Sequence, residues 1–89
     1  MQASPTFSFV FEGNVTFNSV AGSTAVDQTI PVARLHPDNF TLLIMPNLQD
    51  GLIFCNVQCS ALNTLKVRFM NETAGALTPD GTAIKLVQF

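Results

Sequence analysis

The sequence predicts an all-β protein: a single-domain antiparallel β-sandwich of jelly-roll type, or a small β-barrel, with about seven short strands. Apolar residues recur with period two in short runs, and glycine, proline, asparagine and aspartate separate these runs. No stretch sustains helical periodicity, and none is long enough to supply the crossover helices of a parallel sheet. The predicted strands are residues 6–11, 15–20, 25–33, 40–46, 52–59, 64–70 and 82–89.

The N-terminal part of the chain reads as a β-hairpin. Residues 6–11 alternate three phenylalanines with other residues, which places the three rings on one face of a strand. Residues 12–14 have the composition of a tight turn, and residues 15–20 resume the alternation. Residues 1–5 suit an extended arm that docks on a neighbouring chain. Residues 1–89 together are too few for two hydrophobic cores, so we expect one domain.

The two strands predicted next differ in character. Residues 25–33 alternate, but Pro31 cannot donate a main-chain hydrogen bond and therefore marks an edge or a bulge. Residues 40–46 are almost entirely apolar. Such a run is expected for a strand that is covered on both faces or that crosses the middle of a sandwich.

The strand predicted at residues 52–59 contains both cysteines. Its alternation is expected to direct Ile53, Cys55, Val57 and Cys59 to one face. The two cysteines would then lie about 13 Å apart along the strand, which is too far for a disulfide bond between them. We therefore expect both to be buried free thiols in a reducing compartment.

The last two predicted strands enclose a polar connector. Residues 64–70 alternate apolar and polar side chains more regularly than any other segment, and residues 82–89 end the chain. The connector between them is rich in turn residues, and we expect Gly75 and Gly81 to adopt positive φ angles there.

The composition excludes several classes of function. Charged residues make up 11% of the chain and hydrophobic residues 47%, with a net charge of −2. The four cations are scattered, so no basic footprint for nucleic acid and no polybasic segment for an anionic membrane is expected. The N-terminal residues lack the features of a secretory signal, and we expect synthesis in a cytoplasm.

No convergent catalytic or metal site is expected, and we predict that the protein is not an enzyme and needs no cofactor. The single histidine, His36, lies near Asp38, but a solvated histidine in a turn explains this pattern better than a general base. A zinc site needs about four ligands, and the cysteines have no second histidine to complete one.

Three positions match the N-glycosylation pattern, Asn14, Asn39 and Asn71. Asparagine and threonine are common in turns and strands, so such matches arise frequently by chance in this composition. In the absence of a secretory signal, we expect them to be uninformative.

Some apolar residues are left over after the inward faces of the strands are assigned. They are Val10, Phe54, Met70, Val87 and Phe89. One interpretation is a core that is apolar on both sides, or a bulge that reverses the alternation. The other is that they contact a partner chain, since a small monomer cannot hide two apolar faces. These five are our candidate partner-contact residues.

Residues 21–89 resemble a pattern that recurs in small structural proteins of tailed bacteriophages, including cyanophages. In that pattern a Gly-Leu strand, an Asn-Thr turn with a Val-Arg-Phe strand, an Asn-x-Thr-Ala-Gly-Ala turn and a Pro-x-Gly-Thr turn follow in order. The matching positions are Gly51, Leu52, Asn63, Thr64, Val67, Arg68, Phe69, Asn71, Thr73, Ala74, Gly75, Ala76, Pro79, Gly81 and Thr82. The N-terminal strand does not fit the pattern.

The resemblance implies a virion component on the capsid surface, made in the host cytoplasm. The function it favours is a head decoration or cement protein that bridges neighbouring subunits of the major capsid protein. Such proteins act as small homo-oligomers, with a trimer favoured. A tail or fibre module that binds host carbohydrate is an alternative, as is a β-sandwich interaction domain unrelated to viruses.

Overall fold

The structure, a computed structural model, describes residues 8–89, and the side chains of residues 11–89. Within this part of the chain all regular structure is β, as predicted, and six strands are formed. They are β1 (Ser8–Gly13), β2 (Thr24–Pro31), β3 (Thr41–Ile44), β4 (Leu52–Ala61), β5 (Thr64–Asn71) and β6 (Ile84–Gln88).

The strands form two three-stranded antiparallel sheets. The first sheet has the order β1-β6-β3, and the second sheet has the order β2-β5-β4. β6 and β5 are thus the central strands. Only β4 and β5 pair with their immediate neighbour in sequence, through the turn at residues 62–63. The other pairings join strands that lie far apart along the chain.

Both central strands direct an apolar row into one shared core. Leu65, Val67 and Phe69 of β5 and Ile84 and Leu86 of β6 are completely buried. The rows in between face outward, as the alternation of residues 64–70 predicts. The core is completed by buried side chains from the remaining strands and loops: Phe17, Val20, Val32, Leu35, Leu43, Met45, Leu52 and Cys59.

The prediction of a strand at residues 15–20 is wrong, and with it the N-terminal hairpin. β1 pairs with β6 at the other end of the chain. The segment that follows β1 is irregular and is held by the C-terminal connector. The Val15 N–H donates to the Gly81 carbonyl (3.0 Å), and Val20 forms an isolated bridge with Leu77. Pairing with β6 and with the connector replaces the hairpin, so six strands form instead of seven.

A bulge in β4 overturns the expected orientation of one cysteine. The register with β5 shifts between Phe54 and Asn56, so that Cys55 becomes an extra residue on the bulged strand. Beyond the shift, Val57 and Cys59 face the core while Cys55 is exposed. Both thiols are free. The expectation of a buried thiol therefore holds for Cys59 and fails for Cys55.

Two buried glutamine side chains bind the main chain of irregular segments. The side chain of Gln28 on β2 accepts from the Asn18 N–H (2.7 Å) and donates to the Asn18 carbonyl (2.8 Å). Gln88 on β6 binds the main chain of His36 in the same way, and its Nε2 also donates to the Thr41 hydroxyl. Each amide pairs with one residue as a strand would, so the irregular segments need no strand of their own.

A third glutamine holds the C-terminal connector. Gln49 accepts from the Asp80 N–H (2.9 Å) and donates to the Thr78 carbonyl (2.6 Å). The residue between these two, Pro79, is buried. This pair of hydrogen bonds fixes the connector to the loop between β3 and β4.

Asn71, at the end of β5, anchors the other part of the connector. Its Nδ2 donates to the carbonyls of Val20 and Gly75, both at 2.9 Å. Its Oδ1 accepts from the N–H (2.9 Å) and the hydroxyl (2.7 Å) of Thr73. The nitrogen that a glycan would occupy is thus buried and has donated both hydrogens, so this motif has a structural role in the folded chain.

The expectation of positive φ at Gly75 and Gly81 is wrong, because the one described glycine with positive φ is Gly51. Gly81 is required for a different reason. A Cβ atom there would lie 2.2 Å from the Val15 carbonyl oxygen, well inside contact distance. The connector can approach the segment after β1 only because residue 81 has no side chain.

We predict that Phe69→Ala lowers the free energy of unfolding by about 3–5 kcal/mol, because it leaves a cavity in the core. The Phe69 ring is completely buried and packs edge-on against Phe17, with the ring centroids 4.9 Å apart. Urea unfolding followed by far-ultraviolet circular dichroism measures this loss. The adjacent variant Met70→Ala is the control, since Met70 is exposed. Equal losses in the two variants would contradict the assignment of the core face of β5.

We also predict that Asn71→Asp lowers the free energy of unfolding by about 2–4 kcal/mol, because it removes two donors and buries a carboxylate. Asn14→Asp is a matched control. Asn14 is exposed and uses only its Oδ1, which accepts from the Ala83 N–H, and a carboxylate accepts equally well. For Asn14→Asp, the free energy of unfolding from the same urea titration is expected to change by less than about 0.5 kcal/mol. A loss at Asn14 as large as that at Asn71 would refute the anchoring role.

Candidate docking surface

The outer face of the first sheet is apolar along its edge strand β3. Thr41 and Leu43 of this strand are buried on the core side. Leu42 and Ile44 alternate with them and are 42% and 44% exposed. A strand with apolar residues on both faces was expected to be covered on both, but the described residues cover only one.

The central strand β6 and the residues flanking β3 extend this apolar face. Val87 pairs with Leu42 on the same outer face and is almost fully buried. Phe89 follows β6, and its ring centroid lies 6.0 Å from that of Phe40. The Phe89 N–H donates to the Phe40 carbonyl (3.1 Å). Phe40 is 68% exposed, the highest fraction among the large exposed apolar residues of the described chain.

We call these five residues the apolar patch: Phe40, Leu42, Ile44, Val87 and Phe89. Their exposed parts amount to on the order of 400 Å² of apolar surface. The largest apolar patches on soluble monomers measure about 300–600 Å² and are often functional. The apolar patch thus has the size of an interaction surface.

An ion pair borders the apolar patch on one side. Lys85 lies opposite Ile44 on one neighbouring strand and opposite Glu12 on the other. Its Nζ is 3.7 Å from the Glu12 Oε2. Both groups are solvated, so the pair contributes little to stability. It gives the apolar surface a polar rim, which is typical of protein interfaces.

The outer face of the second sheet is polar in its middle. Arg68 on β5 binds the Asp27 carboxylate on β2 through two nitrogens, at 2.7 and 3.3 Å. Lys66 approaches the same carboxylate at 3.6 Å. The hydrogen bonds from Arg68 are the main reason that the pKa of Asp27 lies below its ordinary value. The middle of this face is therefore charged rather than apolar.

The outer face of the second sheet carries a short row of apolar residues at one end. Ala25, Met70 and Ile53 lie side by side across the three strands. Met70 and Ile53 are exposed to about the same degree as Leu42. The row is much smaller than the apolar patch and has no aromatic residue.

The five candidate partner-contact residues do not form one surface. Val87 and Phe89 belong to the apolar patch, and Met70 lies on the outer face of the second sheet. Phe54 is half-buried and packs against the core. Val10 lies in β1, but its side chain is outside the described residues. Partner contact by these residues remains a prediction, and the structure brings two of them together.

Sequence reasoning missed the other members of the apolar patch: Phe40, Leu42 and Ile44. The signal was present in the nearly continuous apolar run of residues 40–46. Such a run does not say whether a second layer covers the strand or whether one face stays open. Only the position of β3 at the edge of a three-stranded sheet separates the two cases.

His36 is exposed and lies in the loop before β3, where Gln88 binds its main chain. Within residues 8–89, no three side chains of histidine, cysteine, aspartate or glutamate lie close enough together to hold a metal ion. The same part of the chain contains no helix with the length and apolarity needed to cross a membrane.

Comparison with known proteins adds no relative from which a role for the apolar patch could be transferred. No protein-family model matches the chain, and no curated protein or solved structure shows significant similarity to it. The function proposed below is therefore based on the geometry of the described residues and on the sequence pattern of residues 21–89.

Proposed function

We propose that this chain is a structural protein of a tailed bacteriophage virion, which decorates the head and stabilises it by bridging neighbouring major capsid subunits. The observation that carries the proposal is the apolar patch on the outer face of the first sheet. The ordered match of residues 51–82 to the pattern of small phage structural proteins is the reason for proposing a capsid partner.

The fold proposed for this role is a β-sandwich of jelly-roll type. In support, side chains from both sheets contribute to one hydrophobic core. Amide side chains fix the connecting segments at both ends of the sheets, so the outer faces are presented on a rigid frame. A rigid frame suits a protein whose task is mechanical, because little conformational entropy is lost on docking.

The apolar patch accounts for docking but not for tight attachment by one chain. Burying about 400 Å² at about 25 cal/mol per Å² gives on the order of 10 kcal/mol, before any cost of association. Association itself costs roughly 4–15 kcal/mol, so one patch alone binds weakly. A homo-oligomer that engages several capsid subunits at once overcomes this limit through effective concentration. The resemblance favours a trimer, but any closed homo-oligomer that presents more than one patch gains in this way.

The stabilising mechanism is physical rather than chemical. Docked chains bury surface across the seams between capsid subunits, and these contacts must break before the shell opens under the pressure of the packaged genome. Each seam contact therefore raises the barrier to opening. The protein resides on the capsid surface and is made in the host cytoplasm.

The proposal is tested by co-sedimentation with heads of the phage that encodes the chain, assembled without this protein. The wild-type chain is expected to pellet with the heads at a saturating ratio. Phe40→Ser removes the most exposed member of the apolar patch and is expected to weaken binding at least tenfold. Met70→Ser removes a comparable apolar side chain from the second sheet and is expected to bind as the wild type does.

Three results would overturn this assignment. Recovery of the wild-type chain wholly in the supernatant would exclude a head protein. Pelleting with purified tails instead of heads would favour the tail or fibre module. Loss of binding in Met70→Ser with full binding in Phe40→Ser would move the docking surface to the second sheet.

A further inference from the structure

We propose that β4 is a self-association strand, which pairs antiparallel with β4 of a second copy across a twofold axis. The two second sheets then join into one continuous six-stranded sheet. This pairing does not depend on the proposed function, because it follows from the position and composition of β4 alone.

β4 differs from the other edge strands in having no side chain that discourages pairing. It is ten residues long, and among the described residues only β5 pairs with it. Every second residue therefore points its main-chain N–H and carbonyl groups away from the sheet. Natural edge strands are commonly defended by charge, by proline, by a bulge or by being short. Both bulges of β4 lie outside residues 56–59, so this stretch keeps a regular edge. β4 contains neither a charged residue nor a proline.

The remaining edges of both sheets are defended. β2, at the opposite edge of the second sheet, carries Asp27 and ends at Pro31. In the first sheet, β1 carries Glu12 and β3 has only four residues. An edge strand that is charged or short leaves fewer registers in which a second copy can pair with it. Among the described edge strands, β4 is the one best able to pair with a second copy.

The sequence of β4 is self-complementary about Gln58. A twofold axis normal to the sheet at this residue sets Gln58 opposite its own copy, Val57 opposite Cys59, and Asn56 opposite Ser60. Val57 and Cys59 face the core side, whereas the other three are exposed. Each pair therefore joins side chains on the same face, as a continuous sheet requires.

The two bulges of β4 select this register. They lie between Phe54 and Asn56 and between Cys59 and Ala61, so the stretch from Asn56 to Cys59 is regular. An axis centred on Val57 would set the exposed Cys55 opposite the buried Cys59, which places opposed side chains on different faces. The axis at Gln58 avoids this mismatch and leaves about four main-chain hydrogen bonds between the copies.

The charges beside the pairing edge permit a second copy to approach. Lys66 lies next to Gln58 in the register of the second sheet. Its ammonium group is 3.6 Å from the Asp27 carboxylate, which also binds Arg68, so one opposite charge lies beside the lysine on the same face. The chain as a whole carries a formal charge of only −2. Long-range repulsion between copies is accordingly weak at physiological ionic strength.

The test is the mass of the full-length chain in solution, measured by sedimentation equilibrium with interference optics over a concentration series up to about 1 mM, since a short main-chain interface binds weakly. A reducing buffer keeps Cys55 from forming disulfides between copies. The mass is expected to rise from one chain to two. Gln58→Lys sets two lysines opposite each other at the axis and is expected to weaken dimerisation at least tenfold.

Thr29→Lys is the matched control. Thr29 and Gln58 are both exposed and flank Lys66 on its two sides, so each variant places a new lysine beside Lys66. Only Gln58 lies on the pairing edge. Thr29→Lys is expected to dimerise as the wild type does, and circular dichroism at equal concentration verifies that both variants fold.

Four outcomes would overturn the pairing. The first two concern the wild-type chain: a mass of one chain throughout the series, or a limiting mass of three chains. The third is that Thr29→Lys weakens dimerisation as much as Gln58→Lys does. The fourth is loss of the dimer in Phe40→Ser but not in Gln58→Lys. The last outcome would assign self-association to the apolar patch. Failure of head binding, by contrast, has no bearing on the β4 pair.

Discussion

The burial of two inward-facing rows of side chains, one on each central strand, holds the protein together. Leu65, Val67 and Phe69 on β5 and Ile84 and Leu86 on β6 have no solvent exposure and belong to one core cluster. Each central strand carries two edge strands, so all six strands depend on this core. Among the described residues, no second layer covers the outer face of β3, where Leu42 and Ile44 are exposed. The apolar residues of β3 and β6 that do not enter the core therefore form an outer surface.

Neutral amide side chains position the segments between the strands, in a chain with few charges. Gln28, Gln49, Asn71 and Gln88 each bind main-chain groups distant in sequence. Gln88 connects this framework to the apolar patch. It binds the main chain of His36 and the hydroxyl of Thr41, and Phe40 lies between those two residues. The most exposed aromatic ring of the apolar patch thus extends from an anchored loop, which reduces the entropy lost on docking.

Sequence periodicity predicted the strands whose two faces differ in polarity. It failed where contacts with residues distant in sequence determine the local structure. The alternation of residues 64–70 fixed β5 and its buried face. Residues 15–20 have a similar local pattern, but hydrogen bonds to the connector near residues 77–81 hold them as an irregular segment. The bulge that exposes Cys55 is equally invisible to a pattern of period two. The apolar patch was only partly predicted, since β3 is apolar on both faces.

An electron-microscopy map of phage heads carrying this protein, at a resolution that places side chains, tests the proposed role most directly. We expect density for the chain on the capsid surface, with the outer face of the first sheet against the major capsid protein. Phe40 and Phe89 should be buried in that contact. Heads without density for the chain, or density in which these two rings face solvent, would contradict the proposal that the apolar patch is the docking surface.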